Sequence, residues 1–507
     1  MSSLKIGWAW RDISTTGPVN LPGQFHMRIS EGILDPLTVT ALVLDSGEDM
    51  AIFLSGDMVV CRWHLLDEVR AETVRKNPEI PVEKILENAT HAHTGASHYD
   101  DEFEFPHDDV EIMTGQEYRK FLVEQASDAV CEAYETRKEG GIAWGYGYAV
   151  VAHSRRVVYF DDTSKRPGAV INSTHGVNGH AQMYGNTSDP MFSHYEAGAD
   201  HFLNLLFTFD EEDRLTGAIV NIPCPSQNTE NLYKLSADYW HDVRLAIREK
   251  FGNIFILPQC AAAGDLSPRI LHYREAQDRR FRLKYGIEPE KGVGKFDTKG
   301  ATAMCERKDI AERVAWGFEE VYSWARKDIR RDVKIGHIVR TVDLPKRLIS
   351  DEEYAYAVEG LDGLKDEKWK TDGTPMENLT ANSQLVSGRN RFQQIIDRYE
   401  AQKTEKTIPM EMHVIQVGDV AFASNRFEIY MDYQHRIQAR SPFEQTFIVQ
   451  LAAQPGVGGG SYLCTERGAW GRGYSASMFC NQVSYEAGQV IVEETLKSLN
   501  ELKGENK

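Results

Sequence analysis

The sequence predicts an α/β fold, a single large domain over residues 1–507 in which mixed sheets are flanked by helices. Runs of β-branched and apolar residues alternate with helical patterns from one end of the chain to the other, which favours one α/β unit over a string of small modules. A strand, helix, strand order near the start of the chain ends on a polar motif, where open α/β sheets usually carry functional residues. No internal repeat is visible in the sequence.

The first half of the chain supplies most of the predicted strands. Residues 38–45 and 51–57 are apolar or β-branched runs separated by a short Gly-Glu-Asp segment, which predicts a hairpin. Helical spacing of apolar residues predicts helices at 65–75 and 116–135, and Ser236 is the predicted cap of a helix that runs to about residue 250. Further strands are predicted at 6–10, 142–151, 202–209, 215–222 and 254–258.

The second half alternates in the same way. A charged, glycine-bearing stretch at 279–299 predicts an exposed excursion. The remaining patterns predict helices at 309–327, 351–361, 383–399, 427–440 and 484–502, and strands at 410–417, 420–424 and 446–452.

Composition excludes some classes of protein. The 507 residues include 57 Lys and Arg against 76 Asp and Glu, a formal charge of −19. This balance argues against nucleic acid as a partner, because such binding needs a basic surface. No stretch is long and apolar enough to span a membrane, and no secretory signal is visible at the start. Seven scattered cysteines are typical of reduced thiols. We therefore expect a cytoplasmic protein with a small-molecule or oligosaccharide substrate; the oligomeric state stays open.

The motif His91-Ala92-His93, which follows the apolar pair Ile85-Leu86, is a candidate metal site. If the chain is still extended there, both imidazoles lie on one face of the strand. Neutral imidazole is a common zinc ligand, but a zinc site needs three or four protein ligands. The alternative is a pair of hydrogen-bonded histidines in a polar loop.

Four segments, in chain order, resemble the neutral/alkaline non-lysosomal ceramidase family. They are Thr90-His91-Ala92-His93-Thr94-Gly95, then Gly264-Asp265-Leu266-Ser267-Pro268, then a predicted helix containing Glu428, and finally Ser461-Tyr462-Leu463-Cys464-Thr465-Glu466. The resemblance runs from about residue 5 to residue 499. It implies a ceramidase-like catalytic fold and a hydrolase; we expect the C-terminal β-sandwich domain of that family to be absent.

The resemblance also implies roles for individual residues. His91, Glu428 and Tyr462 are the expected zinc ligands, and Ser267 is the expected nucleophile. His93, Arg155 and Asp265 are expected among the catalytic residues. His93 would stay uncoordinated as a proton shuttle or oxyanion donor, and Arg155 would clamp an anionic group or a developing oxyanion. Arg156, Gln227 and Tyr184 are expected to contact the substrate.

One departure from the family pattern concerns zinc directly. The segment Asn221-Ile222-Pro223-Cys224-Pro225-Ser226-Gln227 has Pro225 where the resemblance predicts a second zinc-binding histidine. Proline cannot ligate zinc, so the site either has three ligands, is completed by a neighbour such as His93, Cys224 or Gln227, or holds no zinc. The smaller departure is Cys464, which replaces a proline of the family.

The leading hypothesis is a hydrolase that cleaves an amide-type bond with help from zinc, although ceramide itself is doubtful as its substrate. One alternative is a carbohydrate-active hydrolase or lyase on the same scaffold, acting on an acidic sugar. Its sugar-stacking residues would be Trp144, Tyr146, Tyr148, Trp470 and Tyr474. The other alternative is a binding protein that has lost its metal.

Overall fold

The computed structural model describes residues 3–100, 103–105, 109–169, 178–287 and 300–504. The strands of these residues are β1 (Lys5–Asp12), β2 (Thr38–Asp45), β3 (Met50–Gly56), β4 (Ile85–Ala89), β5 (Lys138–Glu139), β6 (Gly141–Tyr148), β7 (His153–Ser154), β8 (Arg156–Tyr159), β9 (Ala181–Met183), β10 (Phe192–Tyr195), β11 (Phe202–Phe209), β12 (Leu215–Ile222), β13 (Phe255–Cys260), β14 (Leu266–Ser267), β15 (Ile335–Pro345), β16 (Thr407–Val417), β17 (Val420–Ser424), β18 (Glu428–Ile429), β19 (Gln445–Val449) and β20 (Tyr462–Leu463). The helices are α1 (Leu65–Lys76), α2 (Gly115–Glu135), α3 (Tyr239–Phe251), α4 (Arg274–Tyr285), α5 (Ala301–Ala325), α6 (Asp351–Leu364), α7 (Pro375–Ala401), α8 (Met431–Arg440), α9 (Glu466–Gly471) and α10 (Tyr485–Lys503).

Three mixed sheets with the same plan form the body of the molecule. Their strand orders are β4-β3-β2-β1-β5, β13-β12-β11-β6 and β19-β17-β16-β15. In each sheet the pair at one edge is parallel and the other long strands are antiparallel. The predicted hairpin of β2 and β3 is confirmed, as is the α/β architecture of mixed sheets flanked by helices.

Each parallel pair is joined through a helix, so the chain folds the same unit three times. The three crossovers are β3-α1-β4, β12-α3-β13 and β17-α8-β19. A long helix comes later in the chain after each of them: α2 directly, α5 after the shorter α4, and α10 after the shorter α9. The expectation of no repeat therefore holds for the sequence but not for the architecture. Because the carboxyl ends of parallel strands carry the loops where ligands usually bind, the plan predicts a site built from three parts of the chain.

The three sheets pack face to face. Apolar side chains of all three, among them Phe53, Leu206, Leu257 and Phe422, form one buried cluster between them. The helices cover the outer faces, as shown by a second cluster that joins α1 and α2 to the first sheet and a third that joins α3, α5, α8 and α10 to the other two. Within the described residues no helix is long and apolar enough to cross a membrane, and the seven cysteines are buried thiols.

Several predicted elements need correction. Glu428 lies on the two-residue strand β18 and not in a helix, because α8 begins only at Met431. Asp238, not Ser236, caps α3: its carboxylate accepts the backbone N–H of Tyr239. The long strand β15 was not predicted, since several of its residues are only half buried and its apolar alternation is weak.

The stretch 279–299, predicted as an exposed excursion, is partly helical. Helix α4 continues to Tyr285, and its Phe281 is buried. Residues 288–299 lie outside the described part of the chain.

Candidate functional site

His91 and His93 lie together, but not for the reason that the sequence suggested. Strand β4 ends at Ala89, and His91 adopts a left-handed backbone with φ of 62°. The chain is therefore not extended through the motif, which corrects the predicted alternation of faces. The turn nevertheless brings the two rings edge to face, with Nε2 of His93 at 3.3 Å from Nε2 of His91.

The ring of His91 presents Nε2 to Glu428. Its Nδ1 donates to the backbone carbonyl of Val59 at 2.7 Å, which leaves Nε2 as the nitrogen that faces the cluster. That nitrogen lies 3.3 Å from Oε2 of Glu428. Burial favours the neutral form of Glu428, but His91 and Arg155 outweigh it and lower the pKa of the carboxyl to about 2. An ionised oxygen and a ring nitrogen therefore face each other inside the protein.

Strand pairing places Tyr462 beside Glu428. Strands β18 and β20 are parallel, and Glu428 is the register partner of Tyr462. Side chains at paired positions point to the same side of a sheet. Tyr462 is buried, and burial together with the charge of Glu428 raises its pKa well above the ordinary tyrosine value.

Arg155 bridges the two sides of the cluster. One end of its buried guanidinium, Nη2, lies 3.3 Å from the hydroxyl of Tyr462 and 3.5 Å from Oε2 of Glu428, and donates to the carbonyl of Gly264 at 3.0 Å. The other end, Nη1, lies 3.2 Å from the Tyr184 hydroxyl and 3.4 Å from Oε1 of Gln227. Since this cation is 3% exposed, its charge acts on the cluster with little screening by water.

Ser267 lies at the far end of the cluster. It is fully buried on β14, which pairs with His153 and Ser154 of β7. Its Oγ accepts the backbone N–H of Arg269 at 3.2 Å and lies 3.4 Å from the hydroxyl of Tyr184. The Tyr184 oxygen in turn accepts the side-chain amide of Gln227. Tyr184 thus connects the serine to Arg155.

Two of the predicted site residues lie outside this cluster. The Oδ1 of Asp265 accepts the N–H of Met431, the first residue of α8, and burial raises its pKa to about 7. Arg156 is fully buried, forms a two-bond ion pair with Glu196 and also donates to the carbonyl of Arg472. These bonds occupy its guanidinium within the fold, and a contact of Arg156 with the substrate stays a prediction.

The segment that carries Pro225 runs along the histidine turn. Ser226 accepts the N–H of His93 at 3.0 Å through its carbonyl, and its hydroxyl donates to the carbonyl of Thr90 at 2.8 Å. Position 225 therefore borders the cluster, although its side chain can supply no ligand.

Sequence reasoning missed Glu230. One of its oxygens lies 3.3 Å from Nδ1 of His93 and the other 2.5 Å from Arg269. Arg28 binds the backbone carbonyls of both Glu230 and His93. No local pattern marks Glu230, because its partners come from distant parts of the chain.

The donor set fits a zinc ion in part. Two ligands at about 2.0–2.1 Å from one tetrahedral ion are about 3.3 Å apart, which is the separation of His91 Nε2 and Glu428 Oε2. Within the described residues no group of three or more His, Cys, Asp and Glu side chains could hold a metal; the third donor here would be the phenol of Tyr462. His91, Glu428 and Tyr462 would hold the ion.

Comparison with known proteins shows which solved structures have a similar fold. No protein-family profile and no curated protein sequence matches the chain. The similar solved structures include a neutral ceramidase from Pseudomonas aeruginosa, with a TM-score of 0.64 and 16% identity, and a ceramidase complexed with C2, with a TM-score of 0.65 and 14% identity. Each likeness covers 99% of this chain, and 75% and 76% of the respective ceramidase chains. The chain therefore has a ceramidase-like α/β fold.

Proposed function

We propose that this protein is a hydrolase that cleaves an amide-type bond in a small molecule, and that residues 1–507 form one catalytic domain. The fold supports a ceramidase-like hydrolase at the level of architecture. Identity of 16% or less leaves the substrate of this chain open, so ceramide is one amide to be tested among others.

One observation carries the proposal: an unbroken series of contacts runs through the cluster. The links run from His93 to His91, to Glu428, to Arg155, to Tyr184 and to Ser267, and each is between 3.2 and 3.5 Å. Buried polar groups of this kind cost stability unless they are paired, and their concentration at strand ends is typical of active sites.

In the proposed reaction, Ser267 Oγ forms a bond to the carbonyl carbon of the substrate and the carbon–nitrogen bond breaks. The serine proton passes to the Tyr184 oxygen, 3.4 Å from Oγ, while the Tyr184 hydroxyl gives its own proton to the leaving nitrogen, so that an amine departs and an acyl ester remains. Water then cleaves the ester, which releases the acid and restores Ser267.

Arg155 and Tyr184 stabilise negative charge in this scheme. Tyr184 contacts both Ser267 and Arg155, so the two side chains lie next to the proposed nucleophile. A buried guanidinium is a strong hydrogen-bond donor to an oxyanion. A zinc ion held by His91, Glu428 and Tyr462 would polarise a carbonyl oxygen or activate a hydroxyl. Gln227 orients Tyr184 by donating to its hydroxyl, and it contacts the substrate in this scheme.

A screen with a serine variant tests the proposal. Purified protein is incubated with N-acyl compounds of increasing acyl length, a short-chain ceramide among them, and the released amine is quantified. We expect turnover of at least one amide, reduced at least about a thousandfold in Ser267→Ala. Ser154→Ala is the matched control, because Ser154 is buried on the neighbouring strand and its hydroxyl has no hydrogen-bond partner among the described residues. Equal activity of Ser267→Ala and the wild type would exclude Ser267 as nucleophile.

A carbohydrate-active enzyme remains the second candidate, for a specific reason. Tyr474 packs edge to face on Tyr462, with ring centroids 5.5 Å apart, and Phe25 packs on Tyr474 at 5.6 Å. Aromatic rings beside a polar cluster suit a sugar face as well as an acyl chain. The same screen run with acidic glycosides separates the two candidates by whether a reducing sugar or an amine is released.

A further inference from the structure

Arg426 is a buried cation for which the described residues supply no anion. It is 6% exposed, and its side chain forms no ion pair and no hydrogen bond with any described residue. Its guanidinium carbon lies 5.7 Å from the ring of Phe427. The other buried arginines of the described chain each donate to a carboxylate or carbonyl oxygen: Arg28, Arg119, Arg155, Arg156, Arg244 and Arg307. Arg426 is the exception among them.

The backbone on both sides of Arg426 is fixed by hydrogen bonds. The N–H of Asn425 donates to the carbonyl of Val449, and the Asn425 side-chain oxygen accepts the N–H of Phe427 at 3.0 Å. The carbonyl of Arg426 accepts the N–H of Gly460 at 3.2 Å. These bonds hold the residue in place without any contribution from its guanidinium, so the charge is not needed to fix the loop.

The guanidinium packs on the glycine-rich loop 456–460. A methyl group added at Gly458 would lie within 2.9 Å of Nη1, Nη2 and the carbon between them, so a residue with a side chain at 458 would displace the charged group. The Nε atom of Arg426 is fully enclosed and has no partner among the described residues, whereas the two terminal nitrogens keep some contact with solvent. The cation is therefore buried, and its terminal donors are still within reach of a ligand.

Arg426 also lies next to the cluster along two segments of the chain. It precedes Glu428 by two residues, and the loop on which it packs leads through Ser461 into Tyr462. The two segments are joined by the hydrogen bond from the N–H of Glu428 to the carbonyl of Ser461, at 2.8 Å. An anion bound by Arg426 would therefore lie at the border of the proposed active site.

A buried charge in this position costs stability until an anion compensates it. A buried ion without a partner has lost hydration and has gained no ion pair in return. The chain has a formal charge of −19 and repels anions in general, so that anion binding depends on a local cation. A guanidinium presents two parallel N–H groups that match two oxygens of a carboxylate or sulfate. A ligand with such a group supplies the missing partner.

We propose that Arg426 binds an anionic group of the substrate, a carboxylate or a sulfate, so that the amide cleaved at this site belongs to an acidic molecule. The assignment to a substrate rests on the proposed function, whereas the binding of an anion at Arg426 does not. A free inorganic anion is the other source of the same chemistry, and the experiments distinguish the two.

The first experiment compares the stability of two arginine variants without a ligand. Arg426→Met keeps the length of the side chain and removes an uncompensated charge, so we expect its urea midpoint to equal or exceed that of the wild type. Arg244→Met is the matched control, because Arg244 is also 6% exposed but binds both carboxylate oxygens of Asp57, at 2.9 and 3.0 Å. Its midpoint should fall clearly. A loss in Arg426→Met as large as that in Arg244→Met would assign Arg426 to the fold and overturn the proposal.

The second experiment measures binding by calorimetry, in protein that carries Ser267→Ala so that no turnover occurs. The probes are N-hexanoylglycine, its neutral counterpart N-hexanoylglycinamide, and sodium sulfate, all at one ionic strength. We expect the anionic compound to bind at least about tenfold more tightly than the neutral one, and Arg426→Met to abolish this preference. Arg426→Lys should keep a weaker preference, because an ammonium group lacks the fork of two N–H donors.

Each other result decides against a part of the proposal. Sulfate that binds through Arg426 while the two acyl compounds bind alike would assign the residue to a free anion and reject the acidic substrate. Binding of no probe, or binding that does not depend on Arg426, would overturn the anion site altogether. N-hexanoylglycine that binds through Arg426, in a protein whose wild type hydrolyses no amide, would uphold the anion site and reject the proposed reaction.

Discussion

At the scale of single residues, Pro225 determines how the proposed zinc site differs from that of a four-ligand enzyme. Ser226 ties this segment to Thr90 and His93 through two hydrogen bonds, so position 225 is held at the border of the cluster. Three donors bind zinc less tightly than four, and each ligand contributes to the folding free energy of a metal site.

Replacing this proline should strengthen zinc binding. Pro225→His adds an imidazole beside His91, and we expect the zinc dissociation constant to fall at least about tenfold. Competition with a fluorescent chelator measures this dissociation constant. Pro225→Ala is the control, since it removes the proline ring without adding a ligand. Equal affinities of the two variants would place residue 225 outside the reach of the ion.

Residues of this cluster could be found from the sequence where a short motif marks them. His91, Ser267 and Tyr462 each belong to such a motif, and the structure brings them into one cluster. Glu230 could not be found in this way, since its role comes from Arg28 and Arg269, which meet it only in the folded chain. For Arg156 the sequence could not show the buried ion pair with Glu196, because the two residues meet only in the folded chain.

At the scale of elements, the short strands β18 and β20 set the distance between Glu428 and Tyr462. Gly264 packs against this pair: a methyl group at its α-carbon would lie 2.3 Å from the carbonyl oxygen of Glu428. Backbone atoms cannot move aside as the end of a side chain can, so any larger residue at 264 must displace β18 or its own loop.

Gly264→Ala should therefore harm both stability and the site. We expect a loss of about 1–3 kcal/mol in the free energy of unfolding, measured by urea denaturation, together with weaker zinc binding. Gly363→Ala is the matched control, because this helical glycine has no atom within 4 Å of the added methyl group and should gain up to about 1 kcal/mol. A Gly264→Ala protein as stable as the wild type would show that β18 tolerates displacement.

Element prediction succeeded where patterns are long and failed where they are short. Strands β11 and β12 were predicted at their observed bounds, since each is an unbroken run of mainly apolar residues. Strand β18 has only two residues, and the helical pattern that follows it led to a predicted helix that wrongly included Glu428. A two-residue strand is defined by its partner across the sheet, and a single sequence does not reveal that partner.

At the scale of the whole molecule, buried carboxyl groups determine how stability depends on pH. Burial raises the pKa of Glu87 to about 8, and neither of its oxygens has a hydrogen-bond partner among the described residues. The folded protein thus keeps this proton where the unfolded chain has lost it. Its contribution is complete below the ordinary glutamate pKa and is lost as the pH rises toward 8. Asp265 and Glu306, each with a pKa raised by burial to about 7, act in the same direction.

Glu87→Gln should remove part of this dependence, because an amide resembles the protonated acid at every pH. Relative to the wild type, we expect the variant to gain stability as the pH rises from 5 to 8, by up to about 1.4 kcal/mol per pH unit. Urea unfolding at several pH values measures this difference in stability. Glu48→Gln is the control, because Glu48 is exposed. A difference between variant and wild type that does not change with pH would mean that Glu87 is ionised in the folded protein.

The threefold plan of the molecule explains why the site lies where it does. The first unit supplies His91 and His93, the second Gln227 and Ser267, and the third Glu428 and Tyr462, in each case after a strand of a parallel pair. Alternation of strands and helices was enough to predict an α/β fold. The repetition was not visible, because the three units share the order and pairing of their strands and show no repeated sequence pattern.

His91, Glu428 and Tyr462 are proposed to form one metal-assisted site, which Arg155 and Tyr184 connect to Ser267. The most direct test is the zinc content of protein purified without chelator, determined by elemental analysis together with His91→Ala and Glu428→Gln. The claim predicts about one zinc ion per wild-type chain and its loss from both variants, with the fold retained. No zinc in the wild type, even after incubation with the metal, would contradict the claim.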